Sequence, residues 1–324
     1  MKKAIISALL VVSMGLMLVG CGAKKEEEAK TINIAYQYGL AYAPLTIAKD
    51  QGLIESEYEK LTGNKVTVEW TQMNSGADIN TGIASKSISV GFMGVGPAVT
   101  GVMNNVGYKV FTNLSGAEHG LMTNNADLKS LSDLIGSEHQ IALVNIGSIQ
   151  HVILAKALAN QGLDPHALDS NIVAMKHPDG MASLQSNSIA CHLTSNPYIY
   201  QERDDSALTE IPGVSEAWPV ENSFIVGVAA TDLYDSDKQL YEAICNAFKT
   251  SVDYINTNLE EAAKVTSEVD GNTLEDEIRF MKESNYQTET KGLFELATFM
   301  AENGFIDAAP NSYSDLVYDN VVGD

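Results

Sequence analysis

Between Thr31 and Glu57 the sequence TINIAYQYGLAYAPLTIAKDQGLIESE passes from strand to loop to helix in one short stretch. Ile32, Ile34 and Tyr36 alternate with Asn33 and Ala35, which is the period of a strand. A helix begins at Ala43-Pro44, because proline's missing N–H costs nothing in a first turn. The loop between them, Gln37 to Tyr42, therefore lies at the strand's carboxyl end, where open α/β sheets hold their ligands.

The same unit recurs. Ser87 to Met93 reads as a buried strand and is followed by Gly94-Val95-Gly96-Pro97, with Pro97 opening a helix. Ile189 to Thr194 is followed by Ser195-Asn196-Pro197 and a helix from Tyr198. Ile141 to Asn145 runs through Gly147-Ser148 into the helix QHVILAKALANQ. Four strand ends that feed helix N-termini carry four sets of free backbone N–H groups. If they converge, they line a cleft with hydrogen-bond donors. A further helix follows Ser75-Gly76, with Asp78 placed to cap it or to receive a ligand amine.

Strand and helix alternate from Thr31 to about Gly116, break at Ser115-Gly116-Ala117, and resume at HGLMT. The second series contains the expected helices SLSDLI, IQHVILAKALANQ and GMASLQSN and the strands IALVN, NIVAMK and IACHLT. SFIVGVAAT then forms a return strand, and the remainder is helical, beginning with one long helix from Asp237 to Val269. This order predicts an α/β protein of two parallel-sheet lobes joined by two hinge crossings, near Gly116 to His119 and Glu221 to Phe224. Residues 31–118 with 224–324 make lobe I, and 119–223 make lobe II. The stripe Leu240, Ile244, Phe248, Val252 and Ile255 has helical spacing and is expected to pack on lobe I.

The N-terminus follows different rules. Lys2-Lys3, an apolar run from Ala4 to Val19 and then Leu18-Val19-Gly20-Cys21 describe a secretory leader over residues 1–20. Residues 21–30, charged and without apolar period, suit a flexible tether. Without Cys21 only Cys191 and Cys245 remain, both at apolar positions and expected to be free. The net charge is −22, and losing Lys2 and Lys3 with the leader makes it −24. Nucleic acid and acidic lipid surfaces are therefore poor partners.

Chemistry is conspicuous mainly by what the motifs omit. The glycines of GFMGVG have the wrong spacing for a dinucleotide fingerprint, and no Gly-Lys-Ser/Thr phosphate loop occurs. They let the backbone approach a ligand or a neighbouring helix. The six histidines have no zinc-ligand spacing, and no cofactor or metal is expected. His139, His166 and His177 read as surface residues, whereas His119, at a crossing, and His151, in a first helical turn, either donate to a ligand or serve structure. Cys191 and His192 are neighbours on a strand and point to opposite faces, so they form no dyad. The two arginines, Arg203 and Arg279, fall outside the loops. An anion would have to rely on helix N-termini with hydroxyl, amide or histidine donors, and Tyr38, Tyr42 and Tyr198 are suited to covering an apolar or planar part.

The stretches YAPLTIAKDQGL, GADINTGIASKSISVGFMGVGPAVTG, GSIQHVILAKALANQGLDP and SNPYIYQE together resemble the substrate-binding proteins of ABC importers, in the nitrate, sulfonate and taurine family that includes thiamine-pyrimidine-precursor binders. Leu-Val-Gly-Cys likewise resembles a lipobox, which implies lipid attachment at Cys21 and a protein held at the extracytoplasmic face of the cell membrane. The resemblance implies a bilobal type II periplasmic-binding fold, a monomer that is not an enzyme, closure on a small solute, and delivery to an importer permease. Its ligand loops fall on Gln37, Tyr38, Gly39 and Tyr42; on Ser75, Gly76 and Asp78; on Gly94, Gly96 and Pro97; on Asn145, Ser148 and His151; and on Ser195, Asn196 and Tyr198, with His119 at the crossing. The absence of arginine departs from a simple nitrate or sulfonate clamp. A planar heterocycle such as a pyrimidine or flavin precursor is the alternative ligand, and an enzyme of pyrimidine formation is the rival from another class.

Overall fold

The computed structural model describes residues 30–324. The leader, Cys21 and all of the tether but Lys30 lie outside the described residues. The strands are β1 (Lys30–Tyr36), β2 (Val66–Gln72), β3 (Val90–Gly94), β4 (Tyr108–Gly116), β5 (His119–Thr123), β6 (Ile141–Leu143), β7 (Ile172–Ala174), β8 (Cys191–Ser195), β9 (Thr209–Ile211), β10 (Ile225–Ala230) and β11 (Asn285–Tyr286). The first helices are α1 (Ala43–Asp50), α2 (Leu53–Thr62), α3 (Gly76–Ala84), α4 (Val95–Met103), α5 (Ile149–Asn160) and α6 (His177–Gln185). They are followed by α7 (Tyr198–Asp204), α8 (Thr231–Ser236), α9 (Lys238–Thr257), α10 (Leu259–Asp270), α11 (Leu274–Lys282) and α12 (Leu293–Glu302).

Two sheets result, with strand orders β11-β4-β10-β3-β1-β2 and β7-β6-β8-β5-β9. Strands joined through helices run parallel, as the alternation predicts: β1 with β2 and β3, and β6 with β7 and β8. Both sheets are nevertheless mixed. β10 lies antiparallel between β3 and β4, and β5 lies antiparallel to β8 and β9. These are the strands that pass from one sheet to the other without a helical crossover, so each enters from the opposite end. The two crossings touch, since a Cβ on Gly116 would lie 1.7 Å from the Val220 carbonyl oxygen.

Hydrophobic period explains the core. The stripe from Leu240 to Ile255 is buried along α9, which packs on α1, α2 and β4. Phe248 meets Phe92 and Phe111 with ring centroids 4.4 and 6.1 Å apart. Three local expectations change. SLSDLI is a single 3-10 turn, Leu131–Asp133, closed at its start by a reciprocal Ser130 and Asp133 cap and followed by Gly136 in the left-handed region (φ 74°). The long helix after the return strand breaks at Asn258 into α9 and α10. β9 and β11, at three and two residues, are too short to carry a period. Cys191 and Cys245 are free. Among the described residues no helix is long and apolar enough to cross a membrane.

Candidate functional site

The carboxyl ends of β1 and β3 face those of β6 and β8 across a cavity. Its walls are Gln37, Tyr38, Ala41 and Tyr42 before α1; Asn74 and Gly76 at α3; Gly94 and Pro97 at α4; Val144, Asn145, Ser148, Ile149 and Gln150 at α5; Lys176 and His177 at α6; Ser195 and Asn196 before α7; and Phe224 and Ile225 entering β10. All five loops expected from the sequence thus contribute to one site. The centre of a water-sized sphere can range over ≈ 40 Å³ inside it, a few times the ~10–15 Å³ that one water needs.

Local chemistry holds each wall. Tyr42 donates its hydroxyl to Gln37 Oε1 at 3.2 Å, which fixes the first loop. Gly39, at φ +110°, makes the turn, and a Cβ there would stand 3.2 Å from the Asn196 carbonyl oxygen across the cleft. Ser148 caps α5 by accepting from the His151 N–H at 3.3 Å. The glycines of GFMGVG serve approach between helices and strands: a Cβ on Gly91 would meet Ile79, while Cβ atoms on Gly94 and Gly96 would meet Ile149 on the opposite wall. Cross-cleft bonds hold the walls together, from Asn196 Nδ2 to Ser284 Oγ at 2.7 Å and from Lys156 to Glu295 at 2.7 Å.

Seven expected residues do not line the cavity. Ser75 accepts from the Asp78 N–H at 3.1 Å and donates to the Asp78 carboxylate at 2.9 Å, so both are occupied in capping α3. Gly39 and Gly96 act through backbone approach alone. His119 is buried behind the wall, donates from Nδ1 to the Ala117 carbonyl at 3.0 Å and stacks under Phe224. His151 turns away: Nδ1 accepts from the Gly147 N–H at 3.0 Å, and Nε2 donates to Asp169 at 3.0 Å. It therefore shapes the loop that carries Ser148. Tyr198 backs His177, with ring centroids 5.6 Å apart.

The principal correction concerns His177. It is buried and lines the cavity, because α6 begins at His177 and not at Gly180. Pro178 in its first turn is the same signal that Pro44, Pro97 and Pro197 give, and it would have revealed this strand-loop-helix unit. Lys176, just ahead of the helix, reaches to 5.7 Å from the Tyr38 ring centroid. Both expected non-participants stay away: Arg203 is held by Glu210 at 2.8 Å and Glu118 at 3.1 Å, and Arg279 by Asp204 and Asp276. Cys191 and His192 indeed part company, the thiol side toward Thr123 and the imidazole toward Glu202.

Charge is distributed unevenly. The chain carries 42 acidic residues, yet among the described residues lining the cavity there is no carboxylate and one cation, Lys176. Five helices of eight or more residues, α1, α3, α4, α5 and α6, bring their N-termini to it, adding positive dipole ends and free N–H groups. Two acceptors complement these donors. The side-chain oxygens of Asn145 and Asn196 are buried without partners. The Asn196 orientation is fixed by its neighbour, because Ser284 donates its own proton to the Phe280 carbonyl and must accept from Nδ2. Among the described residues no cluster of three or more His, Cys, Asp or Glu could hold a metal.

Known proteins share this architecture. The taurine-binding periplasmic protein of Escherichia coli K12 is 24% identical over 314 residues, covering 90% of this chain and 92% of the relative. The alkanesulfonate-binding protein of Xanthomonas axonopodis pv. citri, solved with MOPS, superposes with a TM-score of 0.73 at 14% identity, over 90% of this chain and 99% of that one. The periplasmic nitrate-binding protein of Synechocystis PCC 6803 gives 0.70 at 17% identity, over 89% and 84%. The model of the NMT1-like family matches residues 25–266. With strand-loop-helix units converging on one cleft and a family match over most of its length, the chain belongs to the NMT1-like family.

Proposed function

We propose that this chain is an extracytoplasmic solute-binding protein that closes two lobes on a compact anion and delivers it to an ABC importer permease. The observation that carries the reading is electrostatic: in a strongly acidic chain, none of the described carboxylates lies on the walls of a cavity ringed by helix N-termini and Lys176. The lobes are 31–118 with 224–324, and 119–223. The strands' division between the sheets, with crossings at 117–118 and 212–224, supports those bounds. The relatives are binding proteins, which sets aside an enzyme of pyrimidine formation.

Within the anions, the free acceptors of Asn145 and Asn196 favour one that also carries a donor, as an aminosulfonate does. Calorimetry with taurine, ethanesulfonate, nitrate and a pyrimidine tests this. Taurine should bind more tightly than ethanesulfonate, and preferential binding of the pyrimidine would overturn the reading. With taurine, Ser148→Ala and Asn196→Ala should each cost about 1.5 to 3 kcal/mol if they meet a charged group and roughly 0.5 to 1.5 if not. Arg203→Ala should leave affinity unchanged, since its guanidinium is committed to Glu118 and Glu210. Dominance of Arg203 would remove the site from this cleft.

The anchor belongs to the same proposal. Cys21 as a lipidated N-terminus would hold a monomer at the outer face, each buried methylene contributing about 0.8 kcal/mol. Cys21→Ala should move the protein from the membrane fraction to the soluble one. Fractionation identical to the parent would refute lipid attachment there.

A further inference from the structure

Behind the cavity wall, four buried side chains form a line that ends at the site. Glu202 Oε1 lies 2.6 Å from His192 Nδ1, His192 Nε2 lies 3.2 Å from His177 Nδ1, and His177 Nε2 lies 3.1 Å from the Gln150 amide. Glu202 and His192 are fully buried, and His177 and Gln150 nearly so. Only the last two touch the cavity. The second oxygen of Glu202 has no partner. A carboxylic acid, two imidazoles and a primary amide in series can be wired in two directions.

With Glu202 ionised, His192 Nδ1–H donates to it, His177 Nδ1–H donates to His192 Nε2, and Gln150 N–H donates to His177 Nε2. The Gln150 oxygen is then the end left for the cavity. Add one proton at His177 Nε2 from the cavity side, and the Nδ1 proton of His177 passes to His192 Nε2. The Nδ1 proton of His192 passes in turn to Glu202. Both imidazoles finish neutral, Glu202 is a neutral acid, and His177 Nε2–H now donates to the Gln150 oxygen. The amide must turn over, which presents its NH₂ to the cavity. One proton has entered, and an acceptor at the wall has become a donor.

We propose that Glu202, His192, His177 and Gln150 form a reversible proton wire that sets the polarity of the cleft wall, so that the cleft takes up an anion together with one proton. This rests on the anion reading above. Burial agrees with the two states: it pushes Glu202 up to about 8 and lowers His177 and His192 to about 3, so that neither imidazole carries the charge. Neighbouring charges are otherwise engaged. Arg203 is bound by Glu118 and Glu210, Asp204 by Arg279, and Glu277 accepts from Asn272. Asp270 acts on Tyr198, Cys191 faces Thr123, and Lys176 and Asp179 lie exposed at the start of α6. Tyr198 packs on His177 and Tyr200 on Phe280. Thr194 Oγ1, 3.4 Å from His177 Nδ1, can rotate to suit either direction.

Histidine-selective nitrogen NMR of the ligand-free protein between pH 5 and 9.5 reads the wire directly. His177 and His192 should stay neutral and exchange tautomer together, Nε2–H at low pH and Nδ1–H at high pH, and Glu202→Gln should abolish the exchange. Tautomers that never change, or an imidazolium at either site in this range, would overturn the proposal. Calorimetry with ethanesulfonate, which has no titrating group there, reads the coupling. Affinity should fall by up to tenfold per pH unit above the tautomer transition, with uptake of close to one proton, and Glu202→Gln should flatten the profile. Binding that ignores pH in the parent would refute the coupling. Failure of ethanesulfonate to bind at any pH would instead refute the anion reading, and the NMR experiment would then decide the wire alone.

Discussion

Gly94→Val should hold the cleft open and reduce taurine affinity by two orders of magnitude or more, about 3 kcal/mol. The backbone at Gly94, with φ −58° and ψ 149°, suits any residue, so the substitution introduces no local strain. What it lacks is room. A Cβ would stand 2.7 Å from Ile149 Cγ2 and 3.1 Å from Ile149 Cβ, and those atoms belong to the opposite wall. Valine adds two methyl groups to that overlap, and rotation about the two crossings is the softest way to relieve it. Small-angle scattering should therefore report a larger radius of gyration for the variant than for the parent with taurine. Stability without ligand should change less than affinity, because the overlap lies between the two walls and parting them relieves it. A variant with parental affinity and an unchanged scattering profile would show that the walls do not need to meet.

Stability should be greatest in mildly acidic solution and decline on both sides. The alkaline limb comes from buried acids. Burial raises Glu202 from 4.5 to about 8 and Asp270 from 3.8 to about 7, and it raises Glu277 too. The unfolded chain ionises these groups first, so the folded state binds more protons and loses stability as pH rises toward the folded values. The acid limb comes from His177 and His192, lowered from 6.5 to about 3, and from His119, lowered by burial. These remain neutral when folded, so stability is lost as pH falls below 6.5. The two trends oppose each other between about 4.5 and 6.5 and leave only the acids above that range. From pH 6.5 to 8 Glu202 alone should cost about 2 kcal/mol. Urea unfolding across pH 4 to 9 measures the dome, and a maximum at or above pH 8 would contradict it.

How much of this was written in the sequence depends on which physical signal each part obeys. Proline near the start of a helix is a local signal that marks the loops of Gln37, Gly94 and Asn196, and Gly147-Ser148 ahead of a helix marks the loop of Asn145; all four residues line one cavity. The same proline signal at Pro178 marks the start of α6 and with it His177, so this part of the cavity is equally local in origin. Side-chain direction is another matter. His151 sits one turn into a cleft-facing helix and yet turns toward Asp169 on a distant loop, which no spacing encodes. Ser75 and Asp78 satisfy each other, so of the two roles open to Asp78 the structure shows the helix cap. The wire from Glu202 to Gln150 joins four elements, and its members have no common period or motif. Mixed sheet direction was equally invisible, because it follows from which strands cross between sheets.

The place of β10 bears on the order in which such a chain can complete its fold. It lies in the middle of the first sheet, bonded to β3 on one side and β4 on the other, although more than a hundred residues separate it from β4 in sequence. A chain synthesised from its N-terminus therefore presents β1 to β4 long before the strand that joins β3 to β4 has emerged. The second sheet has no such wait, since all five of its strands lie between His119 and Ile211. The later-emerging segment is thus the first able to complete its sheet, and the edges of β3 and β4 stay open until Ile225 to Ala230 arrive to seal them.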